Sequence, residues 1–135
     1  MASPSRRRFL TTPIYYPSGE PHIGHAYTTI LADVLARFWR QDGMDVFFLT
    51  GTDEHGQKMV EEAGRRGMTP LELSDQMAAK FEAAWGVLDI SFDRFIRTTE
   101  PEHAAVVTAS MFTGSVGTFL SGPVSASNNT CNSLS

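Results

Sequence analysis

Apolar residues along the chain fall into short runs divided by turn formers, and the period within the runs alternates between strand-like and helix-like. Phe9 to Tyr16 is a β-branched and aromatic run, which predicts a buried strand. Pro17-Ser18-Gly19-Glu20-Pro21 closes it with strong breakers. From about His22 to Arg40, Ile23, Tyr27, Ile30, Leu31, Val34, Leu35 and Phe38 recur at steps of three and four, so they share one helical face, while Thr28, Asp33, Arg37 and Arg40 fall mainly elsewhere. Gly43 ends this connection. Val46-Phe47-Phe48-Leu49 is continuously apolar, which predicts a second strand covered on both faces. Gly51 to Gly56 is a loop, and a short helix follows to Arg66, closed by Gly67. Thr69-Pro70 forms a cap and first-turn pair for a further helix, with Leu73, Met77, Phe81, Ala84 and Leu88 as its buried stripe. Phe95 to Thr98 is a third short strand, and another helix starts at Glu100. Strand, helix, strand, helices, strand is the order of an α/β fold, a Rossmann-like parallel sheet joined by right-handed crossovers.

The character changes near Ala109. Ser110 to Ser135 carries no charged residue and is dominated by Ser, Gly, Thr and Asn. Residues 1–109 are therefore expected to form a partial Rossmann-like domain, and residues 110–135 a low-complexity tail, disordered or frame-shifted. Asn128-Asn129-Thr130 fits a glycosylation sequon, a triplet common by chance.

Composition narrows the partners. The chain has 135 residues, 41% of them hydrophobic, and a formal net charge of -4, so it can build one small core but offers no obvious basic face for gripping phosphate backbones. Little contact with the body of a nucleic acid is expected. Cys131 stands alone, which excludes an internal disulfide and a multi-cysteine zinc site. No apolar run reaches a membrane span. Ser5-Arg6-Arg7-Arg8-Phe9-Leu10 has the look of a twin-arginine export signal, but Thr11-Thr12-Pro13 follows where an apolar stretch is required, and the cytoplasm is the expected location.

Two loops carry candidate chemistry. Pro21-His22-Ile23-Gly24-His25 joins the first strand to the first helix, at the carboxyl end of a parallel strand, where open α/β sheets bind ligands. A helix N-terminus suits phosphate, Gly24 allows close backbone approach, and His22 and His25 supply imidazole donors for oxygens that gain charge in a transition state. The corresponding reaction is nucleotidyl transfer; the plainer alternative is a pair of incidental loop histidines. Thr50-Gly51-Thr52-Asp53-Glu54-His55-Gly56 follows the second strand. Asp53 could face a cationic ligand group such as an ammonium, or could cap the helix near Gln57. Asp53, Glu54 and His55 are adjacent and diverge, so no protein-held metal is expected, and magnesium would arrive with ATP.

Taken together, Thr11-Thr12-Pro13-Ile14-Tyr15-Tyr16, Pro21-His22-Ile23-Gly24-His25-Ala26-Tyr27, Phe48-Leu49-Thr50-Gly51-Thr52-Asp53-Glu54-His55-Gly56 and Phe95-Ile96-Arg97-Thr98-Thr99-Glu100 closely resemble bacterial and organellar methionyl-tRNA synthetases from about Phe9 to Val107. The resemblance implies ATP-dependent activation of methionine and its transfer to tRNA-Met. It implies that His22 and His25 are catalytic, that Pro13, His22, Gly24 and His25 contact ATP, and that Ile14, Tyr16 and Asp53 contact methionine, Asp53 through its ammonium. His55 matches a family loop position without an implied role. The family's Lys-Met-Ser-Lys-Ser loop, the second half of the nucleotide fold, the inserted domain and the anticodon-binding domain have no counterpart in these residues. A fragment inactive alone, marginal in stability and prone to associate through an uncovered sheet edge is therefore expected, with a frame shift, a misplaced gene end or an unusual splice form behind the tail. A small stand-alone nucleotidylyltransferase and a non-catalytic interaction piece are the alternatives.

Overall fold

The computed structural model describes residues 6–112. The expected tail from residue 113 onward lies outside them. The chain divides into two compact units, one up to Glu100 and one from Pro101 onward. The first unit contains β1 (Arg7–Thr11), α1 (Ile23–Gln41), β2 (Asp45–Thr52), α2 (Gln57–Arg66), α3 (Pro70–Val87) and β3 (Arg94–Arg97). The second contains α4 (Pro101–Phe112), which runs through the expected composition change at Ser110.

The three strands form a parallel sheet in the order β1-β2-β3, with Leu10 opposite Phe48 and Thr50 opposite Phe95. Two successive right-handed crossovers that step across the sheet in one direction deliver their helices to the same face. That face carries Leu10, Val46, Phe48 and Phe95, packed beneath α1 and α3. The opposite face is open: Phe9 and Phe47 stack on each other at 5.8 Å, 64% and 44% exposed. The expectation that β2 is covered on both faces is therefore corrected. Val46 and Phe48 are buried, but Phe47 is 44% exposed: α1 and α3 pack on the face that carries Val46, Phe48 and Phe95, not on the face that carries Phe47.

Helix α1 turns an unexpected face to the sheet. Its buried positions are Thr29, Asp33 and Ala36, while Ile23, Tyr27, Ile30, Leu31, Val34, Leu35 and Phe38 are all exposed. Small residues at 32 and 36 allow close approach, and polar groups make the long-range contacts. The Asp33 carboxylate accepts from the Ser91 N–H (2.7 Å) and hydroxyl (2.6 Å) and from Arg37 Nε (2.6 Å). Arg40 reaches the Ser91 carbonyl (2.9 Å) and Asp93 (2.7 Å), and Asp93 in turn accepts from the Phe48 N–H (2.6 Å). Burial alone would raise the Asp33 pKa, but the bonds from Ser91 and Arg37 together hold it below the usual carboxylate range.

Helix α3 begins as its sequence predicts. Thr69 caps it, Pro70 takes the first position, and Glu72 completes a capping box by accepting from the Thr69 N–H at 2.7 Å. Its buried stripe runs Leu73, Met77, Phe81, Trp85, with Ala84 packed beside it as expected, while Leu88, expected in the stripe, is 40% exposed. Met59 and Ala63 of α2 pack on the first turns of this stripe.

Candidate active site

The strand predicted over Phe9–Tyr16 ends early and then resumes. β1 stops at Thr11, near Pro13, which has no N–H to donate to a ladder. The chain rejoins β2 at Tyr15: the Tyr15 N–H donates to the Gly51 carbonyl (3.2 Å) and the Asp53 N–H donates to the Tyr15 carbonyl (2.8 Å). This short clamp fixes Ile14 and Tyr16 beside the loop that starts at Asp53. Ile14 is 45% and Tyr16 61% exposed, so both stand on an open surface at the carboxyl end of the sheet.

Tyr15 itself turns inward. Its hydroxyl shares hydrogen bonds with Thr29 (2.8 Å) and Thr28 (3.0 Å) on α1, and its ring stacks on Phe81 at 5.7 Å. The edge of His25 meets Tyr15 at 4.9 Å and Phe81 at 5.1 Å. Core aromatics thus support one side of His25.

The two histidines cap α1 reciprocally. His22 is the N-cap, and its Nδ1 accepts from the Gly24 N–H at 3.1 Å; His25 Nδ1 accepts from the His22 N–H at 3.2 Å. The rings stack at 3.8 Å. A nitrogen that accepts carries no proton, so each neutral imidazole keeps its proton on Nε2 and has that N–H free to donate. Burial first, and the neighbouring His22 second, lower the His25 pKa below the ordinary value of 6.5. The neutral form and its cap are therefore favoured above that value and are weakened as pH falls through the folded pKa. Gly24 leaves the His22 ring its room: a Cβ would lie 3.0 Å from that ring, which would have to shift.

Asp53 does not cap α2. The N-cap of α2 is Gly56, without a side-chain bond, and Asp53 Oδ1 instead accepts from the His55 N–H (3.2 Å) and the Thr98 hydroxyl (3.3 Å). His55 reaches the Thr98 carbonyl through Nε2 (3.2 Å). The neighbouring Glu54 points into the protein, its side chain fully buried. It receives Arg97 in a two-pronged pair (2.7 and 3.0 Å), the Thr52 hydroxyl (2.9 Å) and the Thr99 hydroxyl. Arg97 also holds Asp75 on α3 at 2.6 Å. The hydrogen bonds that Arg97 donates to Glu54 raise the Arg97 pKa, keeping the guanidinium charged.

Glu54, Arg97, Thr98 and Tyr15 escaped a residue-by-residue reading. The available signal was the pair of hydroxyl residues, Thr98-Thr99, directly after the short strand Arg94–Arg97. Among the described residues, no group of three or more His, Cys, Asp or Glu side chains gathers to hold a metal, and no helix is long and apolar enough to cross a membrane.

A parallel sheet whose first helix opens at the carboxyl ends of its strands is the architecture of a nucleotide-binding α/β domain. The sequence model of the family described as tRNA synthetases class I (M) matches residues 8–116, and the chain belongs to that family. Its relatives are methionine–tRNA ligases. The chain is 55% identical over 102 residues to the enzyme of Mycoplasma pneumoniae, covering 76% of this chain and 20% of that one. To the enzyme of Mesorhizobium japonicum it is 59% identical over 97 residues, with 72% and 19% covered. Among solved structures, Mycobacterium tuberculosis methionyl-tRNA synthetase in complex with methionyl-adenylate matches with a TM-score of 0.74 and 46% identity, over 75% of this chain and 20% of that one. The chain spans about a fifth of the length of these relatives.

Proposed function

We propose that residues 8–109 supply the ATP- and methionine-facing half of a methionine–tRNA ligase site. In that reaction a methionine carboxylate oxygen bonds to the α-phosphorus of ATP, pyrophosphate leaves, and the methionyl group later passes to tRNA-Met. His22 and His25 donate through Nε2 to phosphate oxygens as charge builds on them. Gly24 and Pro13 line the nucleotide's approach to the backbone, Asp53 receives the methionine ammonium, and Ile14 and Tyr16 contact the amino acid. The observation that carries this reading is the reciprocal cap, which commits both Nδ1 atoms and leaves both Nε2 atoms as donors at a helix N-terminus. Magnesium enters with the phosphates of ATP. Glu54 is fully committed to its partners, and no step is assigned to a protein-held metal.

The described residues form one wall of a crevice. Ile14, Tyr16, the α1 stripe and the Phe9–Phe47 face are open, so in this reading the isolated chain binds its ligands weakly, turns over poorly and associates through these apolar surfaces. The same surfaces favour a second reading, a piece that acts by docking to other subunits.

An NMR titration of the 135-residue chain, at a pH where His25 is neutral, tests the site. Millimolar ATP is expected to shift the His22 and His25 ring signals and the Gly24 amide, and methionine those of Asp53 and Tyr16. Replacing His25 by Ala is expected to weaken ATP binding about tenfold, the loss of one good donor. Ring signals that stay fixed in saturating ATP would overturn the nucleotide assignment.

A further inference from the structure

One side chain to which the resemblance assigns no role makes two hydrogen bonds to the Asp53-Glu54 segment. The Thr98 hydroxyl is buried at the end of β3; it accepts from the Glu54 N–H at 2.8 Å and donates to Asp53 Oδ1 at 3.3 Å. A hydroxyl has one proton, so accepting from an amide directs that proton toward the carboxylate. The Thr98 N–H in turn donates to the Thr52 carbonyl (3.2 Å), which ties the threonine to the last residue of β2. Beside it, the Glu54–Arg97 pair joins the same two chain segments through a charge-assisted fork. Both donors to Asp53 fall on Oδ1. Among the described residues, none reaches Oδ2.

We propose that Thr98 is a positioning residue for methionine activation: it holds Asp53 in one rotamer with Oδ2 turned free for the substrate ammonium, and the Glu54–Arg97 pair keeps Thr98 in register. This rests on the reading of Asp53 as the ammonium-binding carboxylate. Asp53 has two rotatable bonds and sits on a loop, so without Thr98 only the His55 N–H restrains its side chain. Thr98 touches no substrate atom in this account. Its effect is to remove the ordering that binding would otherwise require.

The test separates geometry from binding. Scalar couplings of the Asp53 Cβ protons report its χ1 in the ligand-free chain. A single rotamer is expected in the parent and in Thr98→Ser, which keeps the hydroxyl, and averaging in Thr98→Val, which keeps the shape. Methionine affinity is then compared with that of its analogue lacking the amino group, 4-(methylthio)butanoate. Thr98→Val is expected to weaken methionine about fivefold to tenfold and leave the analogue unchanged, while Thr98→Ser matches the parent. Unchanged Asp53 couplings in Thr98→Val would overturn the proposal, as would equal losses for both ligands. If the parent chain binds no methionine, the substrate reading of Asp53 fails, and the couplings alone still decide whether Thr98 fixes its rotamer.

Discussion

Replacing Arg97 with Met is expected to remove most of the stability of the first unit. The Glu54 side chain has no exposed surface, and Arg97 supplies two of its hydrogen bonds and its only counter-charge among the described residues. Removing one partner of a buried pair leaves an uncompensated charge, which costs about 3–5 kcal/mol. Native domains have only about 5–15 kcal/mol in total. The Thr52 and Thr99 hydroxyls remain as neutral donors, which soften the loss without matching the charge. Replacing Glu54 with Met in the same chain removes the orphaned carboxylate, so the double variant is expected to recover much of the deficit, as measured by urea denaturation followed by circular dichroism. A double variant less stable than Arg97→Met alone would contradict the view that the loss comes from a stranded charge.

Gly51→Ala is expected to be nearly as damaging, for a different reason. Gly51 sits in the central strand opposite Ile96, and a Cβ there would lie 1.9 Å from the Ile96 carbonyl oxygen. The contact is with backbone, so no side-chain rotation relieves it, and β2 and β3 must separate at the point where Asp53 and Thr98 meet. A loss of about 3 kcal/mol, at the upper end of over-packing, is expected. Slowed hydrogen exchange at Thr98 N, which donates across this junction to Thr52, should disappear in the variant. An alanine variant with wild-type exchange and unfolding midpoint would show that the strands can part without cost.

These two positions also mark how far the sequence could be read. The strands, the loop after β1, the Gly67 stop and the Thr69-Pro70 start all follow from local chemistry, because each depends on residues within a few positions of one another. The α1 periodicity locates an apolar stripe on one face but cannot say what covers it. Asp33, Arg37 and Arg40 look like a solvated edge until Asp89, Ser91 and Asp93, some fifty residues later, meet them. The continuous apolar run in β2 misleads in the same way: four hydrophobic residues in a row suit a two-sided sheet, yet both crossovers here deliver helices to one side. His22, Gly24 and His25 were legible as a group because they share one helix turn. Their reciprocal Nδ1 bonds, and the inward turn of Glu54 beside the outward Asp53, are properties of side-chain direction that spacing does not carry.

Whether residues 8–109 are the working first half of a methionine-specific site is best measured in a complete enzyme. This segment would replace the matching segment of the Mycoplasma pneumoniae methionine–tRNA ligase, 55% identical to it, and methionine-dependent exchange of pyrophosphate into ATP would be assayed. The account predicts exchange with methionine and not with leucine, and a loss of about 100-fold or more when His25 becomes Ala, the usual effect of removing a transition-state donor. A folded chimera that exchanges no pyrophosphate, or one indifferent to His25, would contradict it.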